Sequence, residues 1–151
     1  MAAKSFNLTF DGYWRESNIS GLPEKSGIYG AYACTYDATA KAVDPKRLLY
    51  VGEAADINGR IANHDKWGLW RSKVLYGEQL CFNAALITGA DDRQRAEAAE
   101  IFKHKPPCNT NYVDSFPFDQ TSISNGGRAA LLVPRFAVYR TEVAAKAYRW
   151  I

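Results

Sequence analysis

Six side chains that could act together on a phosphodiester follow one another in the sequence. They are Tyr29 in the triplet Gly27-Ile28-Tyr29, Tyr50 in the triplet Tyr50-Val51-Gly52, and then Arg60, His64, Glu97 and Asn109. Hydrolysis of a phosphodiester needs an activated water, neutralisation of the pentacoordinate phosphate and help for the leaving oxygen. A phenol, a guanidinium, an imidazole, a carboxylate and an amide could meet these needs around one divalent metal ion. Each residue alone has an ordinary structural interpretation, so the hypothesis depends on the combination.

Three strands are expected to carry or flank the two triplets. Residues 26–36 and 48–52 are apolar segments typical of strands, and residues 80–88 predict a third. The polar stretch 37–47 indicates a long hairpin connection, so the first two strands should pair antiparallel.

A helix is expected immediately after the second triplet. Asp56 is a suitable N-cap for a helix that runs through Arg60 and His64. Those two residues are four apart, which places them on one helical face. A further short helix is predicted at 67–75.

The clearest helical pattern covers residues 93–105 and contains Glu97. Asp91 or Asp92 would cap it, and Pro106-Pro107 would end it. Asn109 follows the prolines, where a turn is expected. The tail is less regular: we expect a turn at 122–127, a strand at 131–140 broken by a proline, and a short closing helix at 143–150.

Composition indicates one globular domain. The chain has 151 residues, 47% of them hydrophobic and 23% charged, and a formal charge of +3 that permits a polyanionic partner. The odd number of cysteines (Cys34, Cys81 and Cys108) without regular spacing favours buried, reduced thiols and a cytoplasmic location. No run approaches the roughly 18 apolar residues of a membrane span, so no membrane contact is expected.

Taken in order and register, these residues resemble the GIY-YIG nuclease superfamily from Gly27 to about Asn111. The first triplet is literal, and Tyr-Val-Gly is an accepted variant of the second. The spacing of Arg60 and His64 after the second triplet matches the helix pattern of the family. Glu97, followed twelve residues later by Asn109 through a basic and proline-containing stretch, is similar to the repair-type nucleases of the family.

The resemblance implies an α/β (α+β) fold with a small three-stranded, mainly antiparallel sheet flanked by helices. Within a single domain 1–151, residues 26–112 would form the nuclease core. Residues 1–25 would be an N-terminal extension, and residues 113–151 a C-terminal extension packed on the core.

The resemblance also implies a role for each side chain. Glu97 would hold one Mg²⁺ or Mn²⁺ ion, and Arg60 would bind phosphate oxygens through its planar fork. Tyr50 would be the general base, with its pKa lowered from about 10 by nearby cations. Tyr29 and His64 would orient water or phosphate, and Asn109 would tie its loop to the site.

Two features depart from the family pattern. Twenty residues separate Tyr29 from Tyr50, about twice the usual connection, which predicts an enlarged hairpin loop near the site. Glu53 follows the second triplet, where it could repel phosphate, bind metal or pair with Arg60. Glu100 also competes with Glu97 for the metal.

The sequence therefore predicts a metal-dependent endonuclease acting on DNA, with RNA not excluded as substrate. Lys103, His104 and Lys105 could contact a phosphate backbone, although their position at a helix C-terminus explains them equally well. A second copy of the chain or an inhibitory immunity protein are further partners that this interpretation allows. The alternative is a module that binds nucleic acid or protein and has lost the reaction.

Overall fold

A six-stranded mixed sheet forms the centre of the computed structural model, which describes residues 2–142. The strands are β1 (Lys4–Arg15), β2 (Gly27–Asp37), β3 (Ala42–Ala54), β4 (Gln79–Leu86), β5 (Thr121–Gly127) and β6 (Arg135–Val138). Their order across the sheet is β3-β2-β4-β1-β5-β6. Neighbouring strands are antiparallel except β1 and β5, which run parallel.

The mixed α and β composition agrees with the prediction, but the expected three-stranded sheet is wrong in its strand count. The three predicted strands form as β2, β3 and β4, and the flanking segments add three more. β1 buries Phe6, Leu8 and Phe10 at alternate positions. β5 was expected to be a turn because of its Ser, Asn and Gly content, yet it pairs with β1 from Thr121 to Gly127. Pairing with a distant strand overrides the local turn preference.

The connection between β2 and β3 is a tight turn, so the predicted enlarged loop is wrong. The two strands stay paired out to Asp37 and Ala42, which leaves only residues 38–41 between them. The Asp37 carboxylate accepts hydrogen bonds from the backbone N–H groups of Thr39 and Ala40, at 2.9 and 3.1 Å. Such local side-chain bonds fix a turn. The polar composition of 37–47 reflects strand residues that face solvent.

The helices are a 3₁₀ helix (Glu16–Gly21), α1 (Ile57–Ala62), α2 (Trp67–Ser72) and α3 (Ala90–His104). Asp56 caps α1 as predicted, since its carboxylate accepts the N–H of Gly59 at 3.2 Å. In α3 the N-cap is Gly89, and the two predicted capping aspartates lie in the first turn instead. No helix among residues 2–142 is long and apolar enough to cross a membrane. The closing helix predicted at 143–150 lies outside the described residues.

The prediction that His64 continues α1 is wrong, because the helix ends at Ala62. The side-chain Nδ2 of Asn63 donates to the carbonyl of Gly59 at 3.0 Å. A side chain that bonds to a helix carbonyl in this way competes with the next backbone turn. His64 therefore follows the helix and is carried inward.

The two faces of the sheet carry different helices. Tyr29, Ala31 and Ala33 of β2 pack with α1 and α2 in one core cluster. Ile28 of β2 packs in a second cluster with the alanines of α3. Alternate residues of a strand point to opposite faces, so groups from the two sides can meet only around the edge strand β3. The three cysteines are buried and free of disulfides.

Candidate active site

The outer edge of β3 holds the segment that follows α3. The carbonyl of Leu49 accepts a hydrogen bond from the N–H of Cys108 at 2.9 Å. Two positions further along, the N–H of Val51 donates to Asn109 Oδ1 at 3.0 Å, and Asn109 Nδ2 donates to the carbonyl of Val51 at 2.9 Å. Both ends of the amide are thus used, and Asn109 ties its loop to β3.

The same edge also positions Glu97. The backbone N–H of Glu53, two positions after Val51, lies close enough to the Glu97 carboxyl to lower its pKa, although burial outweighs this effect. Positions two residues apart on a strand are separated by about 7 Å. Glu97 and Asn109, twelve residues apart in sequence, therefore lie beside the same strand and line one cleft.

Three aromatic rings meet on the α1 and α2 side of the sheet. Opposite residues of an antiparallel pair share a face, and Tyr29 lies opposite Gly52 while Tyr50 lies opposite Ala31. The ring centroids of Tyr29 and Tyr50 are 6.3 Å apart. The His64 ring lies 6.1 Å from Tyr29 and 5.2 Å from Tyr50. The two triplets and His64 therefore form one cluster.

Gly52 is needed by this cluster. A Cβ atom at that position would lie 2.4 Å from the Tyr29 hydroxyl and 2.5 Å from its Cζ atom. The phenol ring of the first triplet covers the glycine of the second, so the two sequence motifs are parts of one packing arrangement.

His64 is a buried, neutral imidazole. Its Nδ1 accepts the backbone N–H of Lys66 at 3.0 Å, which places the proton of the neutral ring on Nε2. Burial, followed by the positive charge of Arg60, lowers the pKa of His64 to about 4. The 3.4 Å approach of an Asp65 carboxylate oxygen to Nδ1 is therefore not an ion pair near pH 7. Among the described residues, Nε2 has no hydrogen-bond partner.

The phenols do not have the lowered pKa expected from the sequence. Burial is the largest cause that raises the pKa of both Tyr29 and Tyr50. The charge of Glu97 raises the pKa of Tyr50 further, and Arg60 only partly offsets these effects. In the protein alone, both phenols hold their protons at neutral pH.

Arg60 remains open to an incoming anion. Its side chain is 44% exposed, and Nη2 contacts an Asp65 carboxylate oxygen at 3.2 Å. An exposed pair of this kind contributes little to stability. Arg60 also lies close enough to the Tyr29 hydroxyl to lower its pKa. The guanidinium therefore borders the ring cluster and is accessible to solvent.

Glu53 is paired with Arg93 of α3 and not with Arg60. Arg93 Nε lies 2.9 Å from a Glu53 carboxylate oxygen, and both side chains are largely buried. Burial, followed by the charge of Glu53, raises the pKa of Glu97 to about 7. Glu100, the competing carboxylate, is fully buried and bound by Asn125 Nδ2 at 3.1 Å. Glu97 is thus the α3 carboxylate that faces the site.

A cleft of about 160 Å³ lies beside three of the predicted site residues, Tyr50, Glu97 and Asn109. It is lined by Tyr50, Lys66, Glu97, Ile101, Asn109, Thr110 and Asn111. Lys66 and Asn111 were not predicted as site residues, because their spacing in the sequence carries no signal. Glu97 is half-buried and has no ion-pair partner among the described residues. One divalent cation would fit this carboxylate, because the cleft leaves room for bound waters and a positive charge would offset the burial of the anion.

The predicted nucleic-acid contacts at the end of α3 differ from one another. His104 is occupied within the fold: Nδ1 donates to the carbonyl of Glu100 and Nε2 accepts the N–H of Val133, both at 2.9 Å. Lys103 and Lys105 are exposed, and Lys105 Nζ donates to the carbonyl of Val113. The imidazole therefore has no nitrogen left for a phosphate, whereas the two lysines are at the surface.

The chain is similar to a protein of known name. Over 111 residues, or 70% of the chain, it is 31% identical to UvrABC system protein C of Halobacterium salinarum, and the same match is found in a second strain of that organism. The chain spans 18% of the length of these relatives. No protein-family model matches the chain, and no solved structure matches it.

Proposed function

We propose that this protein is a metal-dependent endonuclease of the GIY-YIG type that hydrolyses phosphodiester bonds in DNA. The observation that carries the proposal is the edge of β3, which brings Glu97 and Asn109 beside Tyr50 in one cleft. The similarity to UvrABC system protein C over 70% of the chain is consistent with a nuclease. The expected ion is Mg²⁺ or Mn²⁺, held by Glu97.

The phosphate would be bound from the open side of the cluster. Arg60 would release Asp65, a contact of 3.2 Å at the surface, and donate two parallel hydrogen bonds to phosphate oxygens. The bound ion would supply charge neutralisation at the phosphate and would lower the pKa of groups beside it. Asn109 would keep Val51 and its neighbours rigid, which fixes the distance between the carboxylate and the phenol.

Tyr50 would first lose its phenol proton to bulk water and would then, as the phenolate, take a proton from the attacking water. The pKa of Tyr50, raised in the protein alone by burial and by Glu97, would fall once the negative charge of Glu97 is compensated. His64 cannot be the base, because its Nδ1 lone pair is used by the amide of Lys66. Its buried ring, 5.2 Å from that of Tyr50, would instead keep the phenol in position, and Tyr29 would hold Arg60.

DNA along the surface would meet the exposed lysines at the end of α3. Lys103 and Lys105 are proposed as backbone contacts, while His104 is left out because both of its nitrogens are bonded internally. Contacts of this kind bind without regard to sequence and weaken with salt.

The proposal is tested by incubating the purified chain with supercoiled plasmid, single-stranded DNA and RNA, each with Mg²⁺, Mn²⁺ or chelator. Arg60→Ala and Glu97→Ala should abolish cutting. Arg71→Ala and Asp91→Asn are matched controls, because both side chains are exposed and neither lines the cleft. Cutting that survives both site substitutions would contradict the proposal. Binding in chelator without cutting under any metal would favour the inactive binding module.

A further inference from the structure

A lysine lines the cleft, and nothing in the sequence motifs accounts for it. Lys66 lies between α1 and α2 and shares the cleft with Tyr50, Glu97 and Asn109. We propose that its ammonium group binds a non-bridging oxygen of the phosphate that is cut. This inference rests on the proposed nuclease function and adds a residue to it.

Lys66 differs from Arg93 and Arg47 in having no carboxylate partner. Arg93 is bound to Glu53 and Arg47 to Glu78, through carboxylate contacts of 2.9 and 2.5 Å. Among residues 2–142, by contrast, no hydrogen bond or ion pair engages the Lys66 ammonium, although the side chain is half-buried. A partly desolvated charge without a partner costs free energy, and an anion that enters the cleft offsets that cost.

The backbone of Lys66 is fixed at both ends of the residue. Its N–H donates to His64 Nδ1 at 3.0 Å, and its carbonyl accepts the N–H of Trp70 at 2.9 Å as α2 begins. The Trp70 ring in turn lies 4.5 Å from the His64 ring. The flexible part of the residue is therefore only its side chain, which starts from a rigid position at the cleft wall.

The charges of the cleft favour a phosphate over other ligands. Glu97 contributes one negative charge that the proposed ion would overcompensate. Lys66 adds positive charge at the cleft wall, and both Lys66 and Arg60 lie close enough to His64 to lower its pKa. Arg60 can bind two oxygens through its fork, whereas a lysine acts as a single point charge on one oxygen. The two cations would thus hold different oxygens of the same phosphate group.

The test compares Lys66→Met and Lys66→Arg with Lys73→Met. Lys73 is the matched control, because its charge and that of Lys66 both act on Cys108, but Lys73 does not line the cleft. Single-turnover cleavage of a DNA duplex with Mg²⁺ should fall by about 10- to 1,000-fold in Lys66→Met. Lys66→Arg should recover part of the rate, and Lys73→Met should stay within about twofold of the unaltered chain.

DNA binding measured in the presence of chelator tests the role of Lys66 independently of cleavage. The slope of log affinity against log salt concentration should decrease by about 1 in Lys66→Met, and its melting temperature should hardly change because no protein contact of the ammonium is lost. A Lys66→Met variant with unaltered rate and salt slope would overturn the inference, as would an equal loss in Lys73→Met. If the unaltered chain cuts nothing, the proposed function fails, and the salt slope alone decides the role of Lys66.

Discussion

The substitution Glu97→Gln is expected to change stability and activity in opposite directions. Burial, followed by the charge of Glu53, raises the pKa of the Glu97 carboxyl from 4.5 to about 7 in the folded protein. The folded state therefore holds this proton more tightly than the unfolded state, and the free energy of unfolding of the unaltered chain falls as the pH rises between those values. Because a glutamine does not titrate, the unfolding free energy of the variant does not fall with pH for this reason.

The size of the effect follows from the two pKa values. At about 1.36 kcal/mol per pH unit, the difference between 4.5 and about 7 gives an upper limit of about 3 kcal/mol, reached above about pH 8. For a chain of this size that corresponds to a rise in melting temperature on the order of 10 °C. Near about pH 4 the two proteins should be equally stable, because the carboxyl is protonated in both states.

Urea unfolding in the presence of chelator, repeated across this pH range, measures the difference directly. His64 and Glu100 also titrate abnormally, but they are present in both proteins and cancel in the comparison. Added Mg²⁺ should stabilise the unaltered chain and not Glu97→Gln. If the variant is no more stable at about pH 8, the carboxyl is not held in the environment that the structure shows.

Three further predictions follow from the same site. Gly52→Ala places a methyl group 2.4 Å from the Tyr29 hydroxyl and should lower the free energy of unfolding by about 1–3 kcal/mol. Gly68→Ala is the control, because a Cβ atom at Gly68 has no atom within 4 Å, and chemical denaturation should show no loss of stability. Equal losses of unfolding free energy in the two variants would refute the packing argument. Asn109→Asp replaces the donor to the carbonyl of Val51 by an oxygen that repels it, and Asn109→Ala removes both hydrogen bonds to Val51. Both variants should lower the melting temperature and slow cleavage; unaltered rates would exclude a positioning role. The cleavage rate at low Mg²⁺ should rise with pH through about 7, the pKa of the Glu97 carboxyl. The midpoint of this pH–rate profile should move to lower pH at high Mg²⁺; a midpoint that does not depend on Mg²⁺ would contradict metal binding by Glu97.

Local sequence signals predicted the elements of the site but not the sheet around them. Asp56 caps α1, and α3 ends before Pro106. Both features depend on neighbouring residues, and both were predicted correctly. The strand Thr121–Gly127 was missed, because its pairing with β1 joins segments more than a hundred residues apart. The turn between β2 and β3 was placed wrongly, since exposed strand residues have the polar composition of a loop.

The sequence by itself determined which chemical groups the site contains and in what order they occur. Only the tertiary structure decided their charge states and which further residues join them. Glu53 is neutralised by Arg93, His104 is occupied by the backbone of Val133, and Lys66 enters the cleft. These outcomes depend on burial and on contacts between segments distant in the chain, which shift a pKa or satisfy a hydrogen-bonding group without leaving any pattern in the local sequence.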